Sequence, residues 1–383
     1  MADVTGDAVP DLFVLNLMRD PDIALLPELD ESGNVIDPIL PLSVQPARDQ
    51  LYVNDAAGGA KAIDVGTADT DARTGLGIVI ADLSTDHAGN EVFVGNDAMA
   101  NQMWVRDRDQ NFVDVAAALG CAFGDHGTAT AAMGIALGDL DRSGTADLHI
   151  SNFVSEPSSL YINDGGIFRD LNVRFQLTGD TSPMIGFGSQ GIDYTNNGWL
   201  DLVVTNGDVE DLESRGQPFR QPLQMFANLG DRFVLAAVES EFWKRRHTGR
   251  ALARLDFDRD GQMDFVVTDL LEPSALLLNE SPTSNHWVSL RLVGTVSERD
   301  AIGAKVELAA GQQVWTGWVT AGDGYLCKNE SVVHFGIGRQ ADIRQITVTW
   351  PSGRRQVYLD VPADRFSLLV EGEPAAFVYQ TLP

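Results

Sequence analysis

Four aspartates, Asp256, Asp258, Asp260 and Asp264, fall within nine residues of LDFDRDGQMDFVVTDL (255–270). Side chains at positions 1, 3 and 5 of a tight turn converge on one point, a glycine at position 6 (here Gly261) permits the bend, and a closing acid completes the set. Without a cation these carboxylates repel one another. The oxygen-only spacing predicts a Ca²⁺ site, and no His/Cys set competes for a transition metal. Unlike an EF-hand loop, this one closes early and runs straight into a strand pattern.

The plan recurs. Asp139, Asp141, Ser143 and Asp147 repeat it, and Asp193, Thr195, Asn197 and Asp201 repeat it with only two charges. Asp3, Thr5, Asp7 and Asp11 have Ala8 where the glycine belongs, while Asp82, Ser84 and Asp86 carry an extra residue before Asn90 and Glu91. The leading acids stand 79, 57, 54 and 63 residues apart, the self-similarity of a repeat architecture. The competing reading of any one loop is an Asx-rich turn closed by hydrogen bonds alone.

Elements must hold these loops. Between them recur LYVND (51–55), MWVRD (103–107), LYIND (160–164), MFANL (225–229) and LLLNE (276–280), three of them leading to a further short strand near Phe112, Phe168 and Phe233. Four antiparallel strands per unit make a propeller blade. The expected fold is all-β: a β-propeller of six or seven blades with five recognisable calcium loops (1–282), then a small β-sandwich-like C-terminal domain (283–383). That tail alternates over seven short strands; Trp315, Trp318 and Trp350 read as inter-sheet core, or alternatively as a ligand platform.

These motifs resemble known ones. The acidic loops resemble the FG-GAP/VCBS repeats of integrin α-chain-like propellers. NHWVSLRLVG (285–294), RDAIGAKVEL (299–308), GDGYLCKNESVVHFGIG (322–338) and ITVTWPSGRRQVYLDV (346–361) resemble the ASPIC/UnbV domain. Together the chain is similar to the cartilage acidic protein/UnbV family. The resemblance implies a calcium-binding propeller with a β-rich C-terminal module and no single agreed activity.

Totals narrow the partners. The 383 residues carry a net charge of −28, which repels phosphate backbones and anionic membrane surfaces, so nucleic acid and membrane insertion are not expected. Cys121 and Cys327 read as unpaired. The N-terminus lacks a basic and apolar leader pattern, suggesting a cytoplasmic chain if that end is native and a secreted one if a leader has been removed. There is no GxSxG, Walker or dinucleotide motif, and no organic cofactor is expected.

If the acidic loops occupy one face, the opposite, upper face carries the strand ends Asn96, Asn152 and Asn206, the rim residues Phe153, Phe187, Trp243 and Arg246, and the long connection 17–50. A small molecule, glycan or protein would bind there. His126, Glu156 and His247 on that rim are candidate proton carriers for the alternative, a cofactor-free cyclase or isomerase of natural-product biosynthesis. A rim histidine can equally be a solvated polar residue.

Overall fold

The computed structural model describes residues 1–19, 28–30, 32–33, 35–37, 45–55, 57–66, 72–84 and 89–379. Asp86 and most of the 17–50 connection lie outside them. The described chain is all-β apart from short helical turns. Among the described residues no helix is long and apolar enough to cross a membrane.

Five antiparallel sheets follow one another, each associated with one acidic loop. The first is Leu12–Val14, Gln50–Asn54 and Ala60–Asp64. The second is Gly75–Ala81, Glu91–Asn96, Gln102–Arg106 and Phe112–Asp114. The third is Ile135–Gly138, Asp147–Ile150, Ser159–Asp164 and Ile167–Asp170. The fourth is Gly186–Ile192, Asp201–Asn206, Gln224–Asn228 and Phe233–Leu235. The fifth is Gly249–Leu255, Asp264–Asp269 and Ala275–Leu277. The strands expected around Phe112, Phe168 and Phe233 are the outer strands of the three central sheets.

Period-two alternation lets each central sheet bury both faces. Leu148, Ile150 and Tyr161 of the third sheet pack with Val79, Phe93 and Met103 of the second. Its Leu160 and Ile162 turn the other way, towards Leu202, Val204 and Phe226 of the fourth. Ile192, Val203 and Met225 of the fourth meet Leu252, Phe265 and Val267 of the fifth. The leading strands come close because glycine faces backbone: a Cβ on Gly134 would stand 1.9 Å from the Phe187 carbonyl oxygen, and one on Gly77 2.2 Å from that of Met133.

The asparagine of the LYxN motif ties sheet to sheet. Asn163 Nδ2 donates to the Ala146 carbonyl of its own acidic loop and to Leu83 O of the preceding loop. Asn228 Nδ2 does the same with Leu200 O and Leu140 O.

All seven strands expected in the tail are present, with Phe377–Val378 as an eighth. They form two four-stranded sheets, one containing a parallel pair, His286–Val293 beside Arg365–Val370. Trp315, Trp318 and Trp350 are buried. The apolar core of these sheets, including Val288, Leu308, Ile346 and Trp350, is continuous with Phe13, Leu51, Val94 and Trp104 of the first two repeat sheets.

The segment after Gln313–Trp318 does not stay with the tail. Ala321 bridges Ile80, Gly324 bridges Ile135, Cys327 Sγ reaches Leu252 O at 3.2 Å, and Asn329 bonds Gln190 and the Arg254 amide. It thus crosses the leading strands of four repeat sheets. Both cysteines are free, as expected.

Candidate metal centre

Loop shape comes from backbone handedness. Position 4 is left-handed in Arg142, Asn196 and Arg259, and position 6 in Gly144, Gly198 and Gly261. Ala8 takes the same conformation at φ 65° in the first loop, with a side chain where the others have none.

The closing acid is a structural clasp. Asp147 accepts the amides of Asn163 (2.9 Å) and Leu140 (2.8 Å), and Asp264 those of Asn279 and Phe257, both at 2.8 Å. Asp201 and Asp11 repeat the pattern. In the second loop Glu91 takes this place, holding Leu83 N at 2.7 Å and Ser84 Oγ at 2.6 Å.

The leading acid separates the loops into two kinds. Asp3 and Asp193 spend both carboxylate oxygens on loop amides, Asp193 on Asn197 (2.9 Å) and Gly198 (2.6 Å). Asp139 and Asp256 each spend Oδ2 on their position-6 glycine at 3.1 Å and leave Oδ1 buried without a partner. Asp139 is 6% exposed and Asp256 3%. Those two loops also hold the two groups of acids whose oxygens converge within 4.8 Å among the described residues: Asp139, Asp141 and Asp147, and Asp256, Asp258 and Asp260. A buried carboxylate oxygen without a partner is costly, and a hard cation supplies one.

Electrostatics agree. Burial, with repulsion from Asp141, pushes Asp139 up to about 6 against the Gly144 hydrogen bond. Burial likewise lifts Asp256 to about 6, opposed by the Gly261 amide and Arg259 and helped by Asp260 and Asp264. Asp147 is driven well above its ordinary range by burial and its neighbours Asp141 and Asp139.

The acidic loops are partly covered by the tail, although residues 257–260 stay exposed. Lys305 Nζ donates to Gly144 O at 2.8 Å, and Arg142 lies over Trp315 at 4.9 Å. His334 Nε2 meets Asn196 Oδ1 at 2.9 Å, and Asn90 Nδ2 reaches both Asp3 O and Ile302 O. Glu330 accepts the Asp256 amide and pairs with Arg259 at 2.5 Å. Trp287 lies on Gly261. The tail sheets therefore pack against the side that carries the acidic loops, which nothing in the loop spacing announced. A cavity of about 660 Å³ remains there, beside the fifth loop, lined by Asp256, Asp260, Trp287, Arg291, Arg365 and Phe366 among others.

On the opposite side the structure gives the sequence candidates separate duties. The amides of Asn96, Asn152 and Asn206 each donate at 2.8 Å to a carbonyl of their own following loop (Ala100, Pro157, Pro222). Phe187 is buried, edge-on to Tyr325 at 5.3 Å, and half-buried Phe153 joins that cluster. Trp243 packs against the fifth-sheet core, and Arg246 is exposed. His126 is solvated beside Asp125. Glu156 accepts the Ala131 amide, and burial raises its pKa above the ordinary carboxylate range. His247 is buried, donating from Nε2 to the Phe242 carbonyl at 2.9 Å and stacking on that ring. No hydrogen bond joins His126, Glu156 and His247. Tyr325, carried across from the tail, completes the cluster around Phe187, and nothing in its local sequence marks it for that place.

Comparison with known proteins adds ancestry to geometry. Residues 294–376 match the model of the ASPIC and UnbV family. The chain is similar to cartilage acidic protein 1 of Xenopus tropicalis (27% identity over 294 residues) and of Mus musculus (29% over 298), each match covering 73% of this chain and 42% of the relative. The chain thus spans less than half the length of these relatives. The resemblance to the cartilage acidic protein/ASPIC-UnbV family read from the sequence is borne out.

Proposed function

We propose that the protein is a calcium-stabilised binding protein, in which the repeat sheets are blades of a β-propeller and the ASPIC/UnbV sheets form a β-sandwich-like module clamped onto its metal-loop face. The observation that carries this is the pair of partnerless buried oxygens, Asp139 Oδ1 and Asp256 Oδ1, each within a converging acidic set. Ca²⁺ at these loops neutralises acids held between blade and module, so the metal fastens the two together. Asp139, Asp141 and Asp147 hold one ion; Asp256, Asp258 and Asp260 hold the other. The second, fourth and first loops are weaker sites, since the acids described there are fewer or already closed by amides.

The body so fastened presents binding surface rather than a reacting centre. A cofactor-free cyclase would need proton carriers that converge, and His126, Glu156 and His247 are each tied to a different neighbour. The test is Asp258→Ala, an exposed ligand whose removal leaves the core intact. Its melting temperature falls below that of the parent chain in Ca²⁺ and matches it in chelator. An equal loss in both conditions would remove the metal role of this loop.

A further inference from the structure

We propose that the 660 Å³ cavity beside the fifth acidic loop binds a small organic carboxylate with a flat apolar body. The inference rests on the metal reading above and names the class of ligand that the fastened junction takes.

The cavity's size is that of a small-molecule site, within the usual range of roughly 300–1,000 Å³. One wall is aromatic. Phe366 and Tyr379 meet edge-on at 5.0 Å, and Trp287 stands among the lining residues with its indole stacked towards His334. Such faces receive a planar apolar group.

The charges then select its head. Four of the charged lining residues have partners: Arg259 pairs with Glu330, Asp260 accepts the Gln262 amide at 2.8 Å, and Asp364 holds His286 at 2.7 Å and the Trp287 amide. Asp256 holds Gly261 N through one oxygen only. Arg291 and Arg365 stand apart. Arg365 donates to the backbone carbonyl of Asp364 at 2.7 Å, and neither guanidinium has an acidic partner within 4.0 Å among the described residues. Both side chains are exposed, and two guanidiniums without an acidic partner on one cavity offer an incoming anion two sets of free donors. A guanidinium fork matches a carboxylate through two parallel hydrogen bonds.

The fifth loop decides when that anion is welcome. Asp256 and Asp260 also line the cavity and repel a carboxylate while the loop is empty. A Ca²⁺ on those oxygens cancels most of the negative charge of Asp256, Asp258 and Asp260 and so removes most of that repulsion. Metal and carboxylate therefore bind with positive linkage, and each raises the affinity for the other by the same factor.

The experiment titrates the full chain with 2-naphthoate by calorimetry, in Ca²⁺ and in chelator, with 2-naphthol as the neutral analogue of the same shape. The expected result is one saturable 2-naphthoate site in Ca²⁺. Affinity drops by about tenfold or more, or ~1.4 kcal/mol, in chelator, with 2-naphthol and in the R291A/R365A double variant. The double variant must keep the Ca²⁺-dependent rise in melting temperature, which reports the metal independently. Undiminished binding by the double variant, equal binding of 2-naphthol, or no binding at millimolar 2-naphthoate would overturn the proposal. If any of these occurs while the Ca²⁺-dependent rise persists, the ligand assignment fails and the metal reading stands; loss of the rise in the parent chain fails the metal reading itself.

Discussion

The indole of Trp287 lies directly on Gly261: a Cβ at position 261 would stand 1.8 Å from Trp287 Cε2. Gly261 is the bend residue of the fifth acidic loop and Trp287 is the second residue of the first tail strand, so loop and module meet through this contact. Gly261→Ala adds both a left-handed backbone penalty and a collision, and is expected to cost roughly 2–5 kcal/mol in denaturant unfolding. Gly353 has a similar φ of 80° with nothing within 4 Å, so Gly353→Ala should cost only about 1–2 kcal/mol. Equal losses at the two positions would mean that the Trp287 contact contributes nothing.

The first loop offers the converse change. Ala8 holds φ 65° where the third, fourth and fifth loops have glycine. Ala8→Gly should raise stability by about 1 kcal/mol, equally with and without Ca²⁺, because Asp3 already closes this loop on amides. Thermal unfolding in both conditions checks the value and its indifference to metal.

Asn228 joins two acidic loops through one amide. Asn228→Ala strands the buried Leu140 carbonyl and the half-buried Leu200 carbonyl and should cost about 2–4 kcal/mol. An effect below ~0.5 kcal/mol would show that the sheet-to-sheet staple is replaced by water without loss.

The pH dependence has a definite sign. Without metal, burial lifts Asp139 and Asp256 to about 6 and Asp201 to about 8, from an ordinary 3.8. The folded chain then keeps protons that the unfolded chain releases, so stability is lost as pH rises from about 4 through these raised values. In chelator the melting temperature should therefore fall between pH 5 and pH 8. Ca²⁺ binds the ionised form and should flatten or reverse that slope. Parallel curves with and without Ca²⁺ would contradict the assignment.

Much of this body is legible in the sequence because its signals are local. The loop spacing around Asp256 and the alternation of LYIND or ITVTW each depend on neighbours a few residues away. The docking of the tail was not legible: Trp287 meets Gly261, Lys305 meets Gly144 and Glu330 meets Asp256 through pairings that no periodicity encodes. Asn96, Asn152 and Asn206 read as strand ends open to a ligand, yet an asparagine at a strand end looks the same whether its amide faces a ligand or its own loop. GDGYLCKNESVVHFGIG (322–338) resembles a family motif, and only three dimensions reveal that its first half crosses four sheets to seat Tyr325 on Phe187.

The most direct measurement is a calorimetric Ca²⁺ titration of the chelated full chain beside Asp139→Asn and Asp256→Asn. The account predicts at least two tight sites in the parent chain, one fewer in each variant and two fewer when they are combined. Unchanged stoichiometry in both variants, or no binding heat in the parent chain, would contradict it.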